Sequence, residues 1–449
     1  MVYYIITYVL GLGLMGVSKK HYFLFFIFIL YVFPFSVYLL FPNVYQYSFW
    51  LSILCLLTLA ITSLNNLTNQ LTIWYINRII VILILFAISS LFFGALNGVG
   101  PLDCVLFFKH NFWSTILFLL IVSSKTKLEL NKYLHYLVVF QVGLGLAQYL
   151  FSDYIGHTFL IREYSKDGII KAKLSDSISI LDSSLIVGSF GHVTILGNFL
   201  SLYTVYWFGN KYLFNRQWRK FDYLFLFSTV IVIMLTGVRS AFLTAMIGMV
   251  TVLLIKGSYR ALFYTMGLMS VLMLAVFFLR DISYQVEVSY ADPFTRLLSL
   301  ITIFEDTRQG TETNLYTVNR SINILEFLDF KSFILGSAIY TKNPFGYGEG
   351  ISSITDAMLA FMIIEFGIII FLIVVSPYFL AIQLLKKYCD RRIYYLFLTL
   401  FITLIFQTIT DQGIFDIFQS FLFFILAGSA IRNPQDDRGS LIVNKFRWT

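Results

Sequence analysis

The chain of 449 residues is 58% hydrophobic and 12% charged, with mean hydropathy +0.80, against about 25% charged residues in a soluble globular chain. No soluble core of this length encloses so much Phe, Leu and Ile, so a bilayer must solvate much of the surface. The net charge of +8 does not argue for nucleic acid, because most Lys and Arg fall in short loops between apolar runs, where they set membrane topology.

In chain order the apolar runs cover Val2 to Val17, Tyr22 to Phe41, Phe49 to Leu64, Ile79 to Leu96, Phe112 to Ser123, Tyr133 to Phe151, Leu185 to Phe208 and Tyr223 to Leu235. They continue with Ala241 to Ile255, Leu262 to Leu279, Ile354 to Leu384, Tyr394 to Ile409 and Ile414 to Ile431. A spanning helix needs about 20 mainly apolar residues, so the chain reads as an all-α polytopic integral membrane protein with about 12 to 13 transmembrane helices. The whole of 1–449 is expected to form a single membrane domain. The runs are continuous rather than alternating, which excludes an outer-membrane barrel. The Val2 and Phe112 runs are short for spans. No basic stretch precedes the first run, which is expected to stay as a helix rather than be cleaved as a signal peptide. Cys55, Cys104 and Cys389 fall in separate segments, with neither metal-ligand spacing nor a disulfide framework.

Orientation follows from the basic loops. Lys19 and Lys20, Arg78, Lys125, Lys127 and Lys132 mark the first of them. Lys211, Arg216, Arg219 and Lys220 follow, then Lys256 and Arg260, then Lys386, Lys387, Arg391 and Arg392. The tail carries Arg432, Arg438, Lys445 and Arg447. These loops alternate and are expected on the cytoplasmic side, with the C-terminus inside and, if the Val2 run spans, the N-terminus outside. Two long loops fall on the outer face, 152–184 and 280–353. A loop as long as the second is uncommon without a role. Within it, Asp292-Pro293 reads as an N-cap followed by Pro at the first helical position. Phe294, Leu297, Leu298 and Ile301 mark one helical face, and Leu315, Val318, Ile322 and Leu325 another, so two short helices are expected near the outer surface.

The candidate chemistry lies on that side. Arg162, Arg239, Arg280, Arg296, Arg308 and Arg320 are all outer, against the positive-inside trend. Arg239 stands in Thr236-Gly237-Val238-Arg239-Ser240, a tight turn between two apolar runs. A charge in the membrane costs about 2.5–3.5 kcal/mol at the centre and less near the edge, so something must hold it. Either it snorkels to headgroups or it joins an anion site, since guanidinium groups bind phosphate in a bidentate way. A second stretch runs Gly336-Ser337-Ala338-Ile339-Tyr340, Gly346-Tyr347-Gly348-Glu349-Gly350, Thr355-Asp356 and Glu365-Phe366-Gly367. Its glycines permit tight turns and close approach to a ligand. Asp356 and Glu365 are carboxylates at the start of and within an apolar run. Each is a functional candidate, against the plainer readings of a helix N-terminal carboxylate for Asp356 and a structural partner for Glu365. His192, in Gly188-Ser189-Phe190-Gly191-His192, ranks above His157 because glycines flank it near the membrane. A lone His there is otherwise a hydrogen-bonded structural residue. There is no P-loop, no His-Glu-x-x-His zinc pattern and no GxSxG elbow. An enzyme built this way needs a substrate that is already activated.

These residues resemble the O-antigen and capsule polysaccharide polymerase family (Wzy), related to O-antigen ligases. The resemblance covers the architecture of the whole chain and three patterns: Gly188–His192, Thr236-Gly237-Val238-Arg239-Ser240-Ala241, and Leu335-Gly336 followed by Thr355-Asp356 and Glu365-Phe366-Gly367-Ile368-Ile369. Val238 stands where the family commonly has Ser. Ligases usually place a His where this chain has Asp356, which favours the polymerase. The resemblance implies a glycosyltransferase of the bacterial inner membrane with its active site facing the periplasm. It implies oligosaccharide repeat units on undecaprenyl diphosphate as substrates, joined with no metal or cofactor. Arg239 and Arg320, with Arg296 and Arg162, would hold the diphosphate. Asp356, then His192, with Glu365 as a further candidate, would take the proton from the acceptor hydroxyl. Tyr340 and Tyr347 would stack on sugar rings. A chain-length regulator and a flippase are the implied protein partners, beside membrane lipids. The competing readings are a lipid-linked oligosaccharide flippase or secondary transporter, an O-antigen ligase, and a non-catalytic scaffold. Transporters place broken helices and charged groups near the bilayer midplane, whereas the candidates here gather at the outer interface.

Overall fold

The computed structural model describes residues 2–17, 19–32, 48–63, 70–98, 100–124, 130–151, 186, 188–190, 193–259, 330–337, 358–410, 414 and 416–432. The regular elements among them are all helices. In chain order these are α1 (Val2–Val17), α2 (Lys19–Tyr31), α3 (Ser48–Ser63), α4 (Gln70–Asn97), α5 (Pro101–Ser123), α6 (Leu130–Leu150) and α7 (Val193–Leu213). Then come α8 (Lys220–Leu235), α9 (Arg239–Lys256), α10 (Phe330–Leu335), α11 (Met358–Tyr388), α12 (Arg391–Thr410) and α13 (Ile417–Arg432). Among the described residues, Ile73–Asn97, Phe361–Tyr388 and Arg391–Ile409 are long and apolar enough to cross a membrane. The surface of α4 agrees: Ile84 is 53% exposed, Ile88 59%, Leu91 59% and Phe92 57%. Water would oppose such a continuous apolar face, and lipid tails accept it. A membrane location follows.

Several boundaries differ from those read in the sequence. Helix α4 begins at Gln70 and α5 at Pro101, well ahead of the Ile79 and Phe112 runs. Polar Asp103, Lys109 and His110 interrupt the hydropathy of α5 but not its backbone, and Pro101 occupies the first helical turn behind Gly100, where its missing N–H costs nothing. Conversely, the Leu185–Phe208 run is not helical at every described residue: Ile186 is irregular, Gly188–Phe190 form a turn, and α7 is described from Val193. Within the Ile354–Leu384 run, α11 is described from Met358 and is broken at Gly367. The expected helices at 294–301 and 315–325, and the Leu262–Leu279 span, lie outside the described residues. The described part of the 280–353 loop is instead α10 and the two residues after it.

The chain forms two compact units, Met1–Cys55 with Lys132–Gly310, and Leu56–Asn131 with Thr311–Thr449. In the first, α7 packs along α9, and α8 lies against both. One end of this trio is basic and aromatic. Lys211 Nζ meets Asp222 Oδ2 at 2.9 Å, and the same oxygen accepts the Arg219 N–H at 2.8 Å. Lys256 Nζ donates to the Tyr212 carbonyl at 2.6 Å, and Tyr212 Oη donates to Ser258 Oγ at 2.7 Å. Trp207, Trp218, Tyr223 and Phe225 pack edge-on or tilted against one another, with Lys211 Nζ 5.7 Å over the Trp207 ring, as aromatic belts do at headgroup level. The ends of α7 and α9 therefore lie together, and these two helices run parallel with α8 antiparallel. Gly257 closes α9 in the left-handed conformation, with the Ser258 N–H reaching back to Leu253 O at 3.2 Å, a Schellman stop.

Burial alone pushes the Asp222 carboxyl up. The Arg219 N–H and the Lys211 ammonium outweigh it and hold the group below its ordinary value. A depressed folded value gives stability that is present above the unfolded carboxyl pKa of about 3.9 and lost as pH falls through the folded one. Thermal unfolding of wild type and Asp222→Asn in detergent should therefore differ by a constant, modest amount, about 1 kcal/mol or less, near neutrality. The gap should close below about pH 3.9.

In the second unit α13 packs on α5, and α11 packs on α4, α10 and α12. Pro377 inside α11 deprives the Ile373 carbonyl of its helical donor, and Ser376 Oγ replaces it at 2.6 Å. The α12–α13 reversal is buried. The Ile414 carbonyl accepts Asn111 Nδ2 at 3.1 Å, Tyr378 Oη at 3.1 Å and Ser420 Oγ at 2.6 Å, while its N–H donates to Thr408 Oγ1 at 2.8 Å. Asn111, Tyr378 and Ser420 each lie about 12–18 Å along their helices from the ends at Ser123, Lys386 and Arg432. Buried non-helical backbone of this kind survives because protein groups satisfy its polar atoms. Asp416, 4% exposed, caps α13 by accepting the N–H groups of Phe418 at 2.8 Å and Gln419 at 3.0 Å. Asp416→Ala should lower stability by about 1 kcal/mol, and Asp416→Asn by less because it keeps the acceptor. Thermal unfolding of the purified variants checks the order.

Candidate functional site

In the first unit the Arg239 turn is fully described in its backbone. Helix α8 ends at Leu235. Thr236 Oγ1 donates to the Ile233 carbonyl at 2.6 Å and accepts the Val238 N–H at 3.3 Å. Gly237 takes φ +66, a conformation open to glycine and costly for other residues. Val238 is extended and Arg239 is the first residue of α9. Valine has no side-chain acceptor for the first-turn amides, so the positive end of the helix dipole is left uncapped at an arginine. That combination attracts anions. Arg239 lies about 26 Å along α9 from Lys256, at the end of the helix opposite the lysines.

The start of α7 is pressed against this turn. A Cβ on Gly197 would stand 3.0 Å from Thr236 Oγ1, 3.0 Å from Ala241 Cβ and 3.3 Å from Val238 Cβ. Within this unit α7, whose described start follows the Gly188–His192 pattern in sequence, thus touches the Thr236–Ala241 pattern through Gly197. His192 itself lies outside the described residues, immediately before Val193. Ahead of it, Phe190 sits in an aromatic triad with Tyr31 and Phe199, at 6.1 Å and 5.0 Å between ring centroids.

In the second unit the third pattern closes on itself. Helix α11 breaks at Gly367, with φ 81 and ψ 159, and α10 ends on Gly336 with φ +78. A Cβ at Gly336 would lie 2.5 Å from the Glu365 carbonyl oxygen, and one at Gly367 would fall on the Ile334 carbonyl oxygen. The two glycines therefore allow backbone to touch backbone. The break frees the Ile364 carbonyl, which accepts the Ser337 N–H at 2.8 Å and Ser337 Oγ at 2.9 Å. Phe366 anchors the junction among Phe93 and Phe108, at 5.6 Å and 4.8 Å. Glu365 is 2% exposed. Gly367 lies about 28 Å along α11 from Lys386, so the break falls near the end of the span and not at its middle.

Of the residues singled out in sequence, Arg239 and Glu365 belong to different units. Arg162, His192, Arg296, Arg320, Tyr340, Tyr347 and Asp356 lie outside the described residues. Sequence reading gave no role to Ser337, which satisfies the broken helix, or to Gln141 and Gln148 of α6. Two amides about two turns apart on one face of an apolar helix were the available signal. Among the described residues no group of three or more His, Cys, Asp or Glu is assembled to hold a metal ion. No family model matches the chain, and no match is found among curated proteins or solved structures.

Proposed function

We propose that this chain is a polytopic bacterial inner-membrane polymerase that joins oligosaccharide repeat units carried on undecaprenyl diphosphate into O-antigen or capsular polysaccharide. The observation that carries the reading is Arg239. It opens α9 on a helix terminus that its own N-cap residue cannot satisfy, at the end opposite the lysines. In this reading that end is the outer face, the basic ends are cytoplasmic, and the further apolar runs complete about 12 to 13 spans. A lipid-linked diphosphate meets both requirements of such a site: a double anion, held at the membrane edge by its own tail.

The step balances without a nucleotide. The bond between the donor's anomeric carbon and the diphosphate oxygen breaks, the acceptor sugar's hydroxyl oxygen bonds to that carbon, and undecaprenyl diphosphate leaves. Arg239 stabilises charge developing on the leaving group. The hydroxyl proton passes to a general base, for which Asp356, His192 and Glu365 are the assigned candidates. Arg162, Arg296 and Arg320 are further diphosphate residues in this reading, and Tyr340 and Tyr347 are sugar-stacking ones.

A flippase is the second reading, favoured by one observation: α11 is a broken helix, a hallmark of transporter sites. Its break near the end of the span favours interfacial chemistry instead. Purified protein in detergent, given only the lipid-linked repeat unit, decides between them. A ladder of longer glycans supports the polymerase. In a second assay after reconstitution, substrate movement across proteoliposomes without elongation supports the flippase, and, with lipid A core added as acceptor, transfer only to that core supports an O-antigen ligase.

A further inference from the structure

The described residues shortly before α7 are not held by helix or sheet. Ile186, Gly188, Ser189 and Phe190 are buried but non-helical. Two glutamines of α6 take up the polar groups. The Gly188 N–H donates to Gln148 Oε1 at 2.8 Å, and Gln148 Nε2 donates to the Gly188 carbonyl at 3.2 Å. The Ser189 N–H donates to Gln141 Oε1 at 2.9 Å, Gln141 Nε2 donates to Ser189 Oγ, and Ser189 Oγ donates to the Tyr31 carbonyl at 2.9 Å. Gln141 and Gln148 are 0% and 4% exposed. They stand about 14 and 24 Å along α6 from Lys132, within the depth where lipid offers no hydrogen bonds. Gly188 takes φ +56, and a Cβ there would meet Gln141 Oε1 at 2.7 Å. Only a glycine allows the backbone to lie this close to the amide.

We infer that Gln141 and Gln148 are positioning residues, an assignment that rests on the functional reading above. They fix the backbone that enters α7, and the start of α7 touches the Arg239 turn through Gly197. Gly188 also lies against Leu196 of α7, so the clamp sets how the start of α7 is presented beside the Arg239 turn. Losing it should slow the chemical step and leave donor binding, which belongs to α9, almost unchanged.

A protonated carboxyl reproduces the Gln148 pair, because its carbonyl accepts the Gly188 N–H and its O–H donates to the Gly188 carbonyl. A carboxylate has no donor. Two readouts follow. The first is elongation kinetics: Gln148→Leu should lower kcat about tenfold to a hundredfold with little change in KM, and Gln148→Glu should recover at about pH 5 and fail at about pH 9, either side of a buried carboxyl's titration. The second needs no activity. Ile186 is buried at 1% exposed, and its Cδ1 packs against α6 at Gly145, so a thiol in its place is shielded while the clamp holds. With Cys55, Cys104 and Cys389 changed to Ala, maleimide labelling of Ile186→Cys is timed against a free thiol at each pH. Labelling should accelerate in Gln148→Leu, and in Gln148→Glu only at the higher pH. Unchanged labelling in both variants overturns the clamp, and faster labelling with an unchanged kcat overturns its positioning role. If wild type makes no polymer, the functional reading has failed and the labelling still decides the clamp.

Discussion

Gly367→Ala should be among the most damaging single substitutions in the described part of the chain. Its φ of 81 and ψ of 159 belong to a region essentially reserved for glycine, where another residue costs about 1–3 kcal/mol. The added methyl would also fall on the Ile334 carbonyl, which is backbone and cannot swing aside. Either α10 leaves α11, or α11 straightens. The first exposes the Ile364 carbonyl by removing both Ser337 donors, and an unsatisfied buried group costs about 1–3 kcal/mol more. We expect a clear fall in the thermal unfolding midpoint of detergent-solubilised protein, and the same direction for Gly336→Ala. Gly143→Ala is the control. Its Cβ meets nothing within 4 Å, and alanine is favoured over glycine in a helix by about 1 kcal/mol. A Gly367→Ala protein that melts like wild type would show that the glycine contact contributes nothing.

Arg239→Lys should impair elongation although it keeps the charge. An ammonium supplies a point charge, whereas the guanidinium fork makes two parallel bonds to a phosphate. A charge-assisted hydrogen bond is worth about 1.5–3 kcal/mol, so losing one of the pair corresponds to a fall in kcat/KM of roughly 10- to 150-fold. Arg239→Ala should fall further. Neither change should move the unfolding midpoint much, because the turn is held by Thr236, Gly237 and Gly197. Wild-type kcat/KM in Arg239→Lys would remove the bidentate argument.

The helices were legible in sequence where hydropathy and backbone agree. The α8–α9 pair, its turn at Gly237 and the basic ends follow directly from the apolar runs and the lysines. Hydropathy failed where polar residues sit inside a helix, as in α5, whose first turns carry Asp103 and Lys109. It failed the other way at Ile186 and Gly188–Phe190, which fall inside an apolar run yet are buried and non-helical because Gln141 and Gln148 supply hydrogen bonds from another helix. The segment's own sequence carries no trace of that long-range compensation. The three motifs were visible as strings of glycine, threonine and charge. What the strings could not reveal was that Gly197 of α7 touches the Thr236–Ala241 turn, or that Gly336 and Gly367 touch backbone across the α10–α11 junction. Those contacts depend on which helices pack together.

The account rests on a diphosphate held at Arg239, and equilibrium binding of undecaprenyl diphosphate to the purified protein tests it most directly. Wild type should bind the diphosphate more tightly than undecaprenyl monophosphate, and Arg239→Ala should lose about tenfold or more of that affinity, one charged hydrogen bond's worth. Equal affinity in wild type and Arg239→Ala would contradict the account.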